Sequence, residues 1–505
     1  MAQRRQDLIS MADIARLAGQ SRATVGNWKS RNPEDFPPER GRGSRGPLYD
    51  WAEVTAWLEA TNRLDKRSPE VTAVWRLADQ LRGDVSTEDT MPLLLLLLAV
   101  MSEAPGSEWQ RVLDAPPQDL DSTLRTVAHE LFPFAADVMP SGKLPAQSVA
   151  RAIETLSSLD RPRVGVMADA LLEQAAKALG LRGGEFLSPL SVRKLVVAIA
   201  EPTGTVYNPA TGVGQLMIDA ATNPTSTPVR LVGQEINQHT WAMAQLNLAV
   251  HNVAADVALG DVFGEDMYPQ LRADCVISVP PWNQRLSNAD VLADDPRWVW
   301  GEPGPNDGNA AWVQHCLSHL ADDGRAVIVL PNSALFESGR SGRIRQRIVK
   351  AGLLDAVLAL PPGLFAWTSI PCCVLVFRRG RPDVDGKPAP TLMIDFNKSA
   401  DVHGGRSATL DDDVIDDVAA LYQRWVDGKP PAVEDAAVAA VATFEDLAAN
   451  DFVIDPGRYL SLPPSALDLD KAIRDRSELT VRLESLTQAS RDADDKLNAI
   501  LGARR

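Results

Sequence analysis

A chain that alternates short apolar runs with helix-spaced stretches, and ends each run on glycine, an acid or proline, has few folds open to it. Between Thr205 and Asn283 this chain does so four times. Thr205-Val206-Tyr207-Asn208 is β-prone, Pro209-Ala210-Thr211-Gly212-Val213-Gly214 breaks it, and Leu216 to Ala221 resumes with helical character. Glycine suits such a loop because it adopts backbone conformations closed to other residues and lets a ligand approach the main chain. On its own a Gly-x-Gly turn is equally an ordinary strand-to-helix junction. The next run, Val229 to Gln234, ends on Glu235, and 235 − 214 = 21 residues separate it from Gly214. That is close to the roughly 20 expected for an acid that receives ribose hydroxyls at the end of a second strand. A third run ends on Asp261, and a fourth, Ala273 to Ser278, enters Val279-Pro280-Pro281-Trp282-Asn283. Two prolines cannot continue a strand ladder, so they impose an extended exit. Trp282 then offers a face to a flat ring.

The alternation continues downstream. Asn306 to Leu320 reads as a helix, Gly324 to Pro331 as a buried strand, Leu354 to Leu360 as another, followed by Pro361-Pro362-Gly363-Leu364-Phe365 and the apolar run Cys372 to Phe377. The expected class is α/β, a doubly wound parallel sheet. A basic stretch, Arg340, Arg343, Arg345, Arg347 and Lys350, lies between two of these strands and reads either as a phosphate contact or as a solvated helix face. Upstream, Gly184-Glu185-Phe186-Leu187-Ser188-Pro189 is by itself a capped helix start.

In this order the motifs resemble those of S-adenosylmethionine-dependent DNA adenine N6-methyltransferases of the kind found as modification subunits of type I restriction-modification systems. That family reads Gly-x-Phe-x-[Ser/Thr]-Pro, Asp-Pro-x-x-Gly-x-Gly, Glu, Asp, Asn-Pro-Pro-aromatic and Leu-Pro-x-Gly-Leu-Phe, and the likeness covers roughly residues 170 to 460. The resemblance implies a Rossmann-like methyltransferase domain that binds S-adenosyl-L-methionine through Phe186, Ser188, Pro189, Asn208, Ala210, Gly212, Gly214, Glu235 and Asp261, with Phe186 to Pro189 at the methionine end. It also implies a reaction centre at Val279, Pro280, Pro281 and Trp282, where the Pro280 carbonyl accepts from the adenine amine and the aromatic ring stacks on a base extruded from the duplex. Two positions depart from the pattern. Asn208 replaces the first Asp, and Val279 replaces the catalytic Asn, whose side chain accepts from the same amine. A lost transition-state hydrogen bond of this kind costs about 2.7–4 kcal/mol. Two readings therefore stand: an adenine-specific DNA methyltransferase in which Ser278 or Asn283 substitutes or slow turnover survives, and a degenerate relative that binds DNA as a regulator or complex subunit.

The remaining segments carry partner expectations. Ile14, Leu17 and Ala18 form one helix face, Gly19 a turn, and Ser21 the cap of a second helix bearing Arg22, Asn27 and Lys29. With Arg40, Arg42 and Arg45 as a small wing, residues 1–67 resemble a helix-turn-helix of the excisionase or MerR type whose Arg22, Asn27 and Lys29 contact double-stranded DNA, or else a docking module. Since the net charge is −16, nucleic-acid contacts must come from such local patches. Residues 68–179 read as a helical domain. Its apolar run Met91 to Met101 falls well short of the roughly 20 residues of a membrane span, so a buried helix and no membrane association are expected. Residues 180–400 form the methyltransferase domain and 401–465 a C-terminal family segment. In 466–505 the spacing of Leu479, Leu483, Leu486, Ser490, Ala493, Leu497 and Ile500 makes a coiled-coil seam for a specificity subunit or another defence-system subunit. Cys275, Cys316, Cys372 and Cys373 lack metal-ligand spacing, so no metal and a reducing cytoplasm are expected.

Overall fold

The computed structural model describes residues 84–460 apart from 104–105, 160, 180–185, 224–227, 287–293, 397–408 and 433–437, and before residue 84 three strands and a set of separate positions. The expected coiled-coil seam, Leu479 to Ile500, lies outside the described residues, as do Arg22 and Asn27. Strands β1 (Leu8–Ser10), β2 (Glu39–Gly43) and β3 (Gly46–Asp50) form an antiparallel sheet in the order β1-β3-β2. The β2–β3 hairpin falls where the wing was expected. Its sheet packs with Ile14, Ala18, Val25, Phe36, Val54 and Leu58 in a core of its own.

Between residues 84 and 180 the described residues form α1 (Thr87–Ser102), α2 (Ser107–Leu113), α3 (Leu120–Leu131), α4 (Ala146–Ser157) and α5 (Val164–Leu179). Helix α1 contains the long apolar run, and Leu93 to Met101 are all buried. A helix apolar on every side must be surrounded by protein, and α1 sits within the core cluster shared with α5 and with α8 (Gln238–Val250). Among the described residues no helix is long and apolar enough to cross a membrane.

The sheet beyond has nine strands in the order β12-β11-β9-β10-β8-β7-β4-β5-β6. These are β4 (Thr205–Asn208), β5 (Arg230–Glu235), β6 (Ala255–Leu259), β7 (Ala273–Ser278), β8 (Leu320–Pro331), β9 (Leu354–Ala359), β10 (Cys372–Arg378), β11 (Thr391–Asp395) and β12 (Ala439–Ala442). Successive side chains of a strand point to opposite faces, and both faces are covered here. Val206, Ile277 and Val327 pack with α6 (Leu190–Ala200), α7 (Gln215–Thr222) and α11 (Asp412–Val426). Tyr207, Val276 and Ile328 pack with α9 (Gly308–Ser318) and α10 (Gly339–Lys350) on the other.

The expected parallel sheet is in fact mixed. Strand β10 runs antiparallel between β8 and β9, and β12 antiparallel beside β11. A parallel return needs a long crossover, usually a helix, and no helix of the described residues lies between Ala359 and Cys372. Two side chains of the basic helix hold neighbouring loops, while Arg343 and Lys350 are exposed. In α10, Arg345 donates to the carbonyls of Phe452 and Ala334, and Arg347 to that of Trp300, so these guanidiniums hold loops together.

Candidate active site

Strand β4 pairs with β5 on one side and β7 on the other, so the chain leaves it in opposite directions and opens a crevice beyond the strand ends. The segments that follow β4, β5, β6 and β7 border the crevice, joined by Phe186 and Ser188 ahead of the sheet and by Trp312 from a later helix. At the end of β4, the Asn208 side-chain oxygen accepts the Ala210 N–H at 3.2 Å, and the Thr211 hydroxyl donates to the Asn208 carbonyl at 3.1 Å. The loop then crosses β5, where the Thr211 N–H donates to the Gln234 carbonyl. Gly212 has φ +57°, and a Cβ there would stand 2.8 Å from the Phe186 carbonyl. The close approach of the Phe186 segment to the loop therefore requires glycine.

Glu235 ends β5 and is 8% exposed. One carboxylate oxygen accepts the Gly212 N–H at 2.9 Å and the other the Asn237 N–H at 3.0 Å. Burial pushes its carboxyl above the usual range, against the pull of these backbone donors. Just past β6, Asp261 accepts the Phe263 N–H at 3.0 Å. A cavity of about 240 Å³ lies among these groups.

Of the residues singled out in the sequence, Phe186, Ser188, Asn208, Ala210, Gly212, Glu235, Asp261, Val279 and Pro281 line it together. Four expected positions do not. Pro189 caps α6 and faces a neighbouring cavity. Gly214, at φ +79°, caps α7 and looks toward Leu248 and Ala244. Pro280 is buried at the strand end. Trp282 turns its ring against Phe365 and Trp367, with centroids 4.8 and 4.9 Å away, and donates to the Val329 carbonyl at 3.2 Å. An indole that finds both apolar neighbours and an acceptor inside the protein is held there.

Neither expected substitute for the missing Asn presents a free acceptor to the cleft. The Ser278 hydroxyl is wholly buried and has no partner among the described residues. Asn283, at φ +54°, is bound reciprocally to Asn309 of α9: its N–H donates to Asn309 Oδ1 at 3.0 Å, and its own Oδ1 accepts from Asn309 Nδ2 at 2.8 Å. One turn along α9, Trp312 donates to Gln284 Oε1 at 3.1 Å. Gln284 and Trp312 both line the cleft, as does Ile236, an isoleucine 58% exposed at the end of β5. Sequence reasoning passed over all three. Only Ile236, directly after the acid, carried any local signal.

Lys29, expected to reach DNA, bonds Glu39 and, at 2.9 Å, the hydroxyl of buried Tyr49. Beneath the sheet, Asp266, His315 and His319 bring ligand-type atoms within 4.8 Å of one another. Arg297 lies 2.9 Å from His315 Nδ1 and the Tyr207 hydroxyl 3.0 Å from Nε2. A guanidinium can only donate, so Nδ1 accepts and both imidazole nitrogens are spent. Burial, then the His319 and Arg297 charges, pushes the His315 pKa well below the usual range. The arrangement is a polar network in the core, with a cation already beside it.

Residues 160–466 match the family model described as N-6 DNA Methylase, more than half of the chain. The chain belongs to the N-6 DNA methylase family. Its relatives within the family include the HindI type I restriction enzyme methylase subunit of Haemophilus influenzae, 29% identical over 353 residues, which cover 67% of this chain and 77% of that protein. The MjaIX methylase subunit of Methanocaldococcus jannaschii is 26% identical over 340 residues, 64% of this chain and 60% of that one. A solved methyltransferase subunit of a Streptococcus thermophilus type I restriction-modification system shares the fold, with a TM-score of 0.64 at 22% identity over 78% of this chain and 99% of that one.

Proposed function

We propose that this chain transfers a methyl group from S-adenosyl-L-methionine to N6 of adenine in double-stranded DNA, as the modification subunit of a type I restriction-modification system or a related defence system. The observation that carries the reading is one cleft at the sheet's switch point, lined by Gly212, Glu235 and Asp261 and bordered by Val279 and Pro281.

The lining fits a nucleoside. Each Glu235 oxygen takes one backbone N–H and keeps lone pairs for a pair of ribose hydroxyls. Ile236 supplies an apolar platform for a purine, and the Asp261 carboxylate an acceptor for an exocyclic amine. The cofactor, when bound, supplies a methyl group on a sulfonium that departs as a neutral thioether. The chain's task is to hold the flipped adenine so that its amine attacks in line and loses a proton as the N–C bond forms. The Pro280 carbonyl is the acceptor that the turn retains. Arg22 and Asn27 are assigned to DNA contact, and residues 466–505 to a specificity subunit.

A second reading is favoured by one observation. Val279 has no acceptor, Ser278 is buried, and Asn283 is tied to Asn309. On that reading the chain binds DNA and cofactor without turning over. Incubating the protein with tritiated cofactor and DNA free of prior methylation, alone and with the products of its neighbouring genes, separates the two. Label in N6-methyladenine supports the enzyme, and bound cofactor with no transfer supports the binder.

A further inference from the structure

An exposed aromatic stands on the same edge of the sheet as the reaction turn. Phe336 is 52% exposed, and no other aromatic residue among the described residues is exposed. It follows β8, which runs parallel to β7, and β7 leads into the turn with Val279 and Trp282, so both segments leave the sheet at one carboxyl edge. Hydrogen bonds join them. Trp282 donates to the Val329 carbonyl of β8 at 3.2 Å, Asn309 Nδ2 donates to Glu337 at 3.4 Å, and Asn309 Oδ1 accepts the Asn283 N–H at 3.0 Å. The Phe336 backbone is itself fixed: its N–H donates to the Ser333 carbonyl at 3.1 Å, and the Ser333 hydroxyl donates to Glu337 at 2.8 Å. A second apolar side chain, Ile370, is 46% exposed one residue before Pro371, whose carbonyl accepts the Asn332 N–H at 2.9 Å. Single exposed apolar residues are ordinary on a protein surface, but two on joined loops beside a reaction centre mark a contact surface. Cations flank it. Arg285, two residues beyond Asn283, and Arg340, four beyond Phe336, are exposed, and Arg285 has no hydrogen-bond or ion-pair partner among the described residues.

Duplex DNA is the partner that this combination fits. An adenine that reaches the turn has left its stack, so the duplex lies across this edge with a gap where the base was. Apolar side chains held at a protein surface insert between base steps, and cations beside them meet phosphates. In a chain of net charge −16, exposed arginines on this one edge match DNA in sign. We propose that Phe336 is a wedge that enters the duplex at the gap left by the target base, with Ile370 beside it and Arg285 and Arg340 on the flanking phosphates. The inference rests on the reading of the chain as acting on adenine in duplex DNA, and adds to it the side chain that fills the emptied stack.

Two fluorescein-labelled duplexes of one mixed sequence test it, one intact and one with a central abasic site opposite thymine. The second already contains the vacancy. By anisotropy, the protein, alone and with the products of its neighbouring genes, should bind the abasic duplex about tenfold or more tightly than the intact one. Phe336→Ala should reduce that preference to about threefold or less, whereas Phe336→Leu, which keeps an apolar wedge, should retain most of it. Both variants should melt as the native protein does, because the side chain is exposed. Equal affinity of the native protein for the two duplexes overturns the wedge and leaves the DNA reading standing, as does a preference that Phe336→Ala leaves unchanged. Loss of assembly with the neighbouring gene products in Phe336→Ala, with the abasic preference intact, assigns the patch to a protein partner and overturns the wedge as well. Binding of neither duplex removes the DNA reading and the wedge with it.

Discussion

The Gly212 N–H donates to Glu235 Oε2 across 2.9 Å, so the loop after the first strand of the motif series and the acid after the second form a single unit. Replacing Glu235 should therefore disturb the loop as well as remove acceptors. Glu235→Ala should weaken S-adenosylmethionine binding by about 1 kcal/mol or more, the scale of a hydrogen bond to a charged group. Because burial raises this carboxyl above its ordinary 4.5, affinity should begin to fall at a higher pH than an ordinary glutamate would dictate. The sign for the fold is opposite: a raised carboxyl pKa favours the folded state at low pH, and that contribution is lost as pH rises through the folded value. Titration calorimetry across pH 5 to 8 checks the first statement. An unchanged dissociation constant for the variant would remove Glu235 from the cofactor site.

Val279→Asn restores a side-chain acceptor at the cleft while adding little volume. Methylation of adenine N6 should rise by on the order of tenfold or more, in the chemical step and not in cofactor affinity. Single-turnover kinetics with saturating cofactor distinguishes the two. If the native protein already methylates efficiently and the variant gains nothing, another group serves the target amine.

Asp266 faces His319 Nε2 at 3.1 Å. Burial pushes its carboxyl up, but the His319 hydrogen bond and charge prevail and bring it from 3.8 down to about 2. A depressed carboxyl stabilises the fold above its unfolded pKa, and this contribution is lost as pH falls from 3.8 through about 2. It amounts to roughly 2 kcal/mol at most, since each pH step between those two values is worth about 1.4 kcal/mol and solvent screens part of it. Asp266→Asn should lower stability at neutral pH and flatten its decline in that window. Denaturant melts at a series of pH values measure both, and parallel curves for the two proteins would show that the pair contributes no net linkage.

Lys29 is already bonded to Glu39 and Tyr49. Lys29→Ala should lower the thermal stability of the N-terminal unit and leave the salt dependence of DNA affinity nearly unchanged. Deleting residues 1–67 should flatten that dependence, because the phosphate-contacting charges are lost with the module. Binding isotherms at several salt concentrations decide. A slope unaffected by the deletion would make the N-terminal unit a docking module.

Much of the site was legible in the residues themselves, because its parts lie where local rules operate. A loop that needs left-handed glycine, an acid a helix-length later, and two prolines closing a strand depend on near neighbours and on strand periodicity. Gly212, Glu235, Asp261 and Val279 accordingly meet at one cleft. The buried character of Leu93 to Met101 was equally written into a run with no polar face. Tertiary structure alone decided the rest. Trp282 turned to Phe365 and Trp367, Asn283 was fastened by Asn309, and Gln284 was joined to Trp312. Strand β10 entered the sheet in reverse. These relations join residues from 26 to more than 80 positions apart, and each is settled by which surfaces pack once the sheet has formed. Periodicity shows which face of a strand or helix is apolar, but not which distant side chain fills the space opposite it.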